Sequence, residues 1–395
     1  MKKILFVDTG REYGGGTKSF LYLLRGLAAQ QKYELCAFFE TDYEAGGRKI
    51  SQIIEEAGAK FIKFEPKKQP SKLKKELLRA LGGQKLAKYL YKKDYDYALC
   101  LLRQARPDVV HLNNHFSTNL SYIAAANALN IAVVQHLRKN SAVEPFKLEI
   151  LKRLKFTPVC VSNATYEFYA AQIKMPKNVV YNPVEAPVLR REKSEAGKNL
   201  SHLQTNLKNN SDDKSAALKA KFDAEKINIV MPANFLTLKG HELVFNALAE
   251  LKRSDVKVYF AGGGELKAGA KAKFDALIKS GKAEYLGFVS KMDEIYAACD
   301  YVLGFSSDEG LPRVVIEALG CGLGAVYSDI AVIREIYEIS SKKQDFFIVQ
   351  RNSGALLACF ESLRKPSSKN PDDAVIKAFS IENYLRGIDR IYSEL

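Results

Sequence analysis

The stretch Phe305-Ser306-Ser307-Asp308-Glu309-Gly310-Leu311-Pro312-Arg313-Val314-Val315-Ile316-Glu317-Ala318-Leu319-Gly320-Cys321-Gly322 decides how this chain is read. It leaves a short apolar run, Tyr301–Gly304, crosses a glycine-containing loop and enters a helical pattern near Pro312. Proline suits a first helical turn, where its missing N–H costs nothing and its φ is already helical. The unpaired backbone N–H groups at such a start favour a phosphate. Glu309 lies in the loop and Glu317 follows inside the helix, so the two can hold two hydroxyl-bearing parts of one ligand. A sugar nucleotide, with its phosphates on the helix start, has that layout. Taken alone, a glutamate on a helix face is usually just solvated.

Working outward, the same alternation of strand and helix fills both halves, the pattern of parallel α/β sheets. The second half reads as strands at Asn228–Pro232, Lys257–Ala261, Ala283–Leu286, Tyr301–Gly304 and Gly324–Tyr327. The first half reads as strands at Lys3–Val7, Leu35–Phe39, Lys60–Lys63, Val109–Leu112, Ala132–Gln135, Pro158–Val161 and Asn178–Tyr181, with amphipathic helices at Thr17–Gln30 and Gly47–Ala57. Asn182-Pro183-Val184 closes that half with a stiff turn. The polar, aperiodic stretch that follows is longer than the ~12–15 residues usual for a structureless loop. The expected division is a domain over 1–185, an insertion over 186–213, a second domain over 214–375, and a helix over 376–395 packing back on the first domain.

Length and composition allow two cores, since 47% of the 395 residues are hydrophobic. No apolar run approaches the ~18 residues a membrane-spanning helix needs. The apolar start of MKKILFVDTG is too brief for a secretion signal, and the six cysteines are scattered without a CxxC. A cytoplasmic location is expected, with neither disulfides nor zinc. The charge of +15 is lopsided. Residues 1–190 hold 31 Lys+Arg against 17 Asp+Glu, and the remainder is nearly balanced. The excess concentrates between Lys63 and Lys93, where Lys72, Lys74 and Lys75 sit among Leu, Ala and Tyr. That run is either a solvated helix face or a docking face for anionic lipid, to which each basic residue contributes on the order of 1 kcal/mol. No nucleic-acid motif accompanies it, and no nucleic-acid partner is expected.

Near the N-terminus, Gly14-Gly15-Gly16-Thr17-Lys18-Ser19 follows the first strand and opens a helix, which again favours an anion. It is not a phosphate loop of the NTPase kind, because Thr17 separates the glycines from Lys18. Neither half carries the spaced-glycine fingerprint of a dinucleotide-binding dehydrogenase. His136 stands at a strand end, where open α/β sheets present residues to ligands; a satisfied buried histidine is the other reading. His111 and His115 lack a third ligand at suitable spacing, so no metal site is expected.

The segment around Glu309 and Glu317 closely resembles the Glu-x7-Glu donor signature of the retaining family-four glycosyltransferases (glycosyl transferases group 1) of GT-B fold. Further resemblances lie in Lys239-Gly240-His241-Glu242, in Ala261-Gly262-Gly263-Gly264, and in Leu286-Gly287-Phe288-Val289 with Ile295-Tyr296-Ala297. In the first half they lie in Asp108-Val109-Val110-His111, Val161-Ser162-Asn163 and Val180-Tyr181-Asn182-Pro183-Val184. The likeness covers most of the chain, apart from 186–213 and, more weakly, 40–100. It implies an α/β fold of GT-B type, with two Rossmann-like domains facing across a cleft. It implies that Glu317 holds the ribose, that Glu309 contacts the transferred sugar, and that the backbone of Gly310 and Leu311 meets the diphosphate. Lys239 would neutralise the leaving diphosphate, His136 would face the donor sugar, and Gly15, Gly16 and Gly263 would complete the donor site. The family's usual arginine five residues before that lysine is Asn234 here, so part of the cationic clamp is missing; Lys18, Arg138 or Lys139 are the candidates to replace it.

The implied function is a retaining, metal-independent hexosyltransferase with a nucleotide sugar, most simply a UDP-sugar, as substrate and no cofactor. The acceptor would be a lipid-linked glycan of envelope polysaccharide, lipopolysaccharide or lipid-linked oligosaccharide assembly. Lys18, Arg138, Lys72, Lys74 and Lys75 are its candidate acceptor or membrane contacts, on the inner face of the cytoplasmic membrane. Two alternatives stay open: a catalytically weak or inactive membrane-surface protein of this fold, or a GT-B epimerase or phosphorylase.

Overall fold

Strands form here where short apolar runs are buried on both faces. In Lys2–Asp8 (β1), Ile4, Leu5, Phe6 and Val7 are all fully buried although neighbours point to opposite sides of the sheet. Only a sheet covered by helices on both faces accommodates such a run. The computed structural model describes residues 1–67, 70–184, 222–289 and 292–395. The expected insertion at 186–213 lies outside them.

The chain divides into two units, Met1–Pro183 with Ile381–Leu395, and Val184–Ser380. In the first, β1 is followed by Tyr33–Phe39 (β2), a hairpin of Glu44–Ala45 (β3) and Arg48–Lys49 (β4), then Lys60–Phe61 (β5), Val109–Leu112 (β6), Ala132–Leu137 (β7) and Thr157–Cys160 (β8). Their sheet runs β5-β2-β1-β6-β7-β8 with every pair parallel, and Leu5 sits between Cys36 and Val110. The second unit holds Ile227–Pro232 (β9), Val256–Ala261 (β10), Ala283–Gly287 (β11), Tyr301–Gly304 (β12), Gly324–Ser328 (β13) and Phe346–Val349 (β14). Its sheet repeats the order as β11-β10-β9-β12-β13-β14, again parallel, with Val230 between Tyr259 and Val302. Both orders are Rossmann-like. In each the direction of winding reverses beside the first strand, between β1 and β6 and between β9 and β12, and the loops there open a crevice for ligands.

Several elements differ from expectation. Asn178–Tyr181 makes only an isolated bridge, Cys160 to Val179, and is not a strand. The helix expected from Gly47 starts at Ile50, because Gly46 and Gly47 have positive φ and form the two-residue turn of the β3–β4 hairpin. The C-terminal helical stretch is broken. Asp373–Ala378 belongs to the second unit, and only Ile381–Ser393 joins the first. That last helix buries Tyr384, Ile388, Ile391 and Tyr392 in the core beneath β1 and β2. A side chain at Gly26 of the helix Gly15–Gln30 would strike Leu385 at 2.5 Å, so the glycine lets the two helices approach. Among the described residues no helix is long and apolar enough to cross a membrane.

Candidate active site

The loops after β9 and β12 bring together the residues the opening segment singled out. Lys239 ends a short 3-10 turn, Thr237–Lys239, and Gly240 follows with φ +75°. A Cβ at Gly240 would lie 2.3 Å from the carbonyl oxygen of Phe305, so the turn rests directly on the β12 loop. The N–H of Ser307 donates to Leu238 O at 2.9 Å, and Arg351 Nε donates to Phe305 O at 3.1 Å. The two loops are therefore stapled by backbone contacts.

Across that staple the Lys239 ammonium pairs with Glu309 Oε1. The same oxygen accepts from Ser306 Oγ at 2.7 Å and from the Tyr327 hydroxyl at 3.4 Å. Burial, and then the Glu309 carboxylate, push the Tyr327 phenol well above its ordinary range, so it stays a donor. Three donors on one oxygen fix the carboxylate in place. Both side chains keep an outlet to solvent, 24% exposed for Lys239 and 16% for Glu309. A ligand can thus reach a charge pair that is already oriented.

Gly310, Leu311 and Pro312 lead into the helix Arg313–Gly320, whose first residue pairs with Glu317 at 3.5 Å. Glu317 is not a solvated helix-face residue: its side chain is 18% exposed and lies against buried Tyr296. Burial first, then Glu317, drive the Tyr296 phenol well up. Asn234 does not reach into the site as a cation would. Its Oδ1 accepts from the N–H of Gly263 at 2.9 Å, while the Phe235 N–H donates to Gly263 O at 2.8 Å. A Cβ at Gly262 would come within 2.2 Å of Ala233 O, which is why glycine stands there. Asn234 thus ties the loop after β9 to the glycine turn after β10.

In the first unit the residues sort differently. Gly14 caps the helix Gly15–Gln30 in an extended conformation, Gly14 and Gly15 are exposed, and Lys18 is half-buried in its first turn. Arg138 is not a surface contact. It is 9% exposed, with Nε bonded to Asn113, one terminal nitrogen to Asn182, and the other to the Tyr384 hydroxyl at 2.9 Å and His136 Nδ1 at 3.3 Å. The expectation that it meets a membrane is therefore corrected, because its charge is spent on buried neutral acceptors. Its Cδ lies 3.4 Å from where a Cβ on Gly16 would stand, directly under the glycine loop. Sequence reading missed the rest of this network. Asp8 accepts from Gly10 N, Asn113 and Asn114, and His111 joins Tyr392 at 2.6 Å and His136 at 3.2 Å. No spacing signal exists for it, since its members come from the ends of β1, β6 and β7 and from the last helix.

His136 is fully buried. Burial, then Arg138, then His111 hold its pKa well below the ordinary value, so it is neutral. Arg138 donates to Nδ1, which assigns the proton to Nε2. Among the described residues that buried nitrogen has no hydrogen-bond partner. Lys72, Lys74 and Lys75 lie on the helix Lys72–Ala80, which has no buried residue, far in sequence from these strand ends.

Residues 213–376, the described part of which is the second unit's sheet and helices, match the family described as Glycosyl transferases group 1. No curated protein is significantly similar to the chain. Solved structures align over its whole length. HepE of Anabaena, crystallised with UDP, is 17% identical with a TM-score of 0.67, covering 100% of both chains. A glycosyltransferase of Rickettsia africae is 18% identical with a TM-score of 0.72, covering 100% of this chain and 98% of its own. The lipopolysaccharide outer core galactosyltransferase WaaB is 14% identical with a TM-score of 0.66, covering 100% of both. The fold is GT-B, and the group 1 glycosyltransferase match is confined to residues 213–376, within the second unit.

Proposed function

We propose that the chain moves a sugar from a nucleotide-sugar donor of the UDP class to a hydroxyl of a lipid-linked glycan, retaining the anomeric configuration and using no metal ion. The reading is carried by the Lys239–Glu309 pair held open to solvent beside the start of the helix Arg313–Gly320. In it, Glu317 binds the ribose and Glu309 a hydroxyl of the sugar, while the N–H groups of Gly310 and Leu311 hold the diphosphate. The bond from the anomeric carbon to the diphosphate oxygen breaks as the acceptor oxygen bonds to the same face. The acceptor proton passes to the departing diphosphate. Lys239 moves from Glu309 to the charge that grows on the leaving oxygen, and a cation aimed at developing charge lowers the barrier directly. His136, neutral and with an Nε2–H unpartnered among the described residues, is the first unit's candidate to face the sugar. The donor class is supported by the UDP held in HepE, and the acceptor class by the activity named for WaaB.

Lys72, Lys74 and Lys75 dock the first unit on the anionic inner face of the cytoplasmic membrane. Each contributes on the order of 1 kcal/mol, so replacing all three by Gln releases the protein from anionic vesicles by about 10²-fold. Vesicle binding that survives the triple change removes that part of the reading. The donor assignment is tested by calorimetry with UDP, GDP, ADP and their sugar conjugates. UDP or a UDP-sugar should bind the wild type and be lost in Glu317→Ala. Binding of none of them would transfer the reading to a non-catalytic protein of this fold, with Asn234 as the first residue to restore to Arg.

A further inference from the structure

A cavity lies in the first unit between the segment after β5 and the helix Gly83–Ala105. It has a volume of about 580 Å³, within the ~300–1,000 Å³ usual for small-molecule sites. One wall is a single face of the helix Gly83–Ala105, carrying Leu90, Tyr97 and Cys100. The other is the segment after β5, carrying Phe64, Pro66 and Pro70. Phe64 and Tyr97 meet edge to face at 5.1 Å, and the Tyr97 hydroxyl donates to Glu65 O at 2.8 Å, so the walls are pinned together.

The charges around it are uneven. Lys67 and Asp94, both in the lining, neutralise one another at 3.3 Å, and Lys67 also pairs with Glu40. Lys63 and Lys93 line it together with Glu65 and Asp96, all four of them exposed, so the lining itself is balanced in charge. Beyond the rim the balance tips. Residues 63–93 carry eleven Lys and Arg against two Glu. Lys74 and Lys93 both point at the ring of Tyr89, and Lys74 leads in lowering that phenol's pKa. Two residues past Pro70 begins the helix Lys72–Ala80, with Leu73 and Leu77 on one edge and Leu81 just beyond, 78%, 61% and 54% exposed. An apolar cavity with a charge-balanced lining is thus followed along the chain by a basic surround and an uncovered leucine edge.

From this juxtaposition we infer that the cavity takes the hydrocarbon chain of a single-chain amphiphile with a phosphate head, the chain among Phe64, Leu90 and Tyr97 and the phosphate toward Lys63 and Lys93. The apolar wall of Phe64, Leu90 and Tyr97 favours a chain over a sugar ring, and the basic excess of the surrounding residues 63–93 favours an anionic head over a neutral one. The inference rests on the reading of a lipid-linked acceptor given above and names where that lipid's chain is held.

Cys100 is the one exposed cysteine among the described residues, and it lines this cavity, so it reports occupancy. The full-length protein is labelled with a maleimide, and modification at Cys100 is read by peptide mass. The additions are dodecyl phosphate below its micelle concentration, dodecyl maltoside as the neutral chain, and inorganic phosphate as the bare head. Dodecyl phosphate well above its Kd should slow labelling about tenfold or more, because only the unoccupied fraction reacts. Neither control should match it. Leu90→Glu, at a half-buried helix position, should abolish the protection while leaving UDP-induced stabilisation intact. Equal protection by dodecyl maltoside, or protection that survives Leu90→Glu, overturns the inference, as does no protection at all. Protection that persists in the Lys72, Lys74 and Lys75 triple variant supports the cavity even if vesicle docking fails. Failure of UDP to stabilise the wild type, with protection intact, removes the donor reading and leaves the cavity standing.

Discussion

The two units repeat one strand order, yet the residues at their winding reversals are treated in opposite ways. Between β9 and β12 the charges are presented to solvent: Lys239 faces Glu309, and Arg313 faces Glu317. Between β1 and β6 the charge is withdrawn. Arg138 is buried among Asn113, Asn182, His136 and Tyr384, with its Cδ against the glycine loop at Gly16. A shared backbone plan therefore does not imply a shared role, because function resides in the side chains the loops carry. The second unit leaves its charge pairs on partly exposed loops. The first is built around a rigid polar floor that its own last helix completes through Tyr384 and Tyr392.

The contrast can be broken most sharply at Lys239. Lys239→Met should lower kcat by about 10²–10³-fold, the usual cost of removing one group aimed at transition-state charge. A steady-state assay with unchanged kcat would make the pair a structural feature like its counterpart in the first unit. Arg138→Met should do the reverse. It leaves several buried acceptors unsatisfied and should destabilise the protein by about 2–3 kcal/mol in urea unfolding. Arg138→Lys should recover little, since an ammonium cannot span the four partners. If Arg138→Met is as stable as wild type and only turnover falls, the residue belongs with the reacting groups.

Acid should separate the units further. His111 and His136 are held well below the ordinary histidine value by burial, and His115 and His241 are held at about 4. A histidine whose folded pKa is depressed stays neutral in the native state, while the unfolded chain takes up a proton below about 6.5. Stability is therefore complete above that value and falls as pH drops toward 4. The loss is on the order of 1–2 kcal/mol per histidine by pH 5. Three of these four residues lie in the first unit, so acid-induced exposure followed by hydrogen exchange should begin there. Simultaneous opening of both units would contradict the assignment. The smallest effect is expected at Asn234. Asn234→Ala removes one neutral hydrogen bond and should cost about 1 kcal/mol or less, seen as faster exchange of the Gly263 amide.

Much of the second unit was legible in one dimension because its site is local. Glu309, Gly310, Leu311 and Glu317 fall within nine consecutive residues, so a loop and a helix start fix their relation before any folding is considered. β14, Phe346–Val349, escaped the reading although its run of four is as long as those of β6 and β12, which were read. The hairpin at Glu44–Lys49 escaped because the helix pattern beginning at Ile50 was extended backward over its turn glycines. In the first unit, His136 was visible as a strand-end residue. Its tautomer and its unpartnered N–H depend on Arg138, His111 and Tyr392, which no short-range pattern joins.

By itself the sequence determined what local chemistry determines. Apolar runs bounded by turns dictate parallel strands, two rounds of the alternation dictate two sheets, and the Glu309–Glu317 segment dictates a glycine-containing loop that enters a helix. The tertiary structure alone decided which charges are available. Arg138 and Lys239 are both basic residues near strand ends, yet one is sealed by side chains from residues 113, 182 and 384 and the other is left on an open loop. That choice depends on which distant segments close over each site, and burial is a property of the assembled neighbours rather than of the residue.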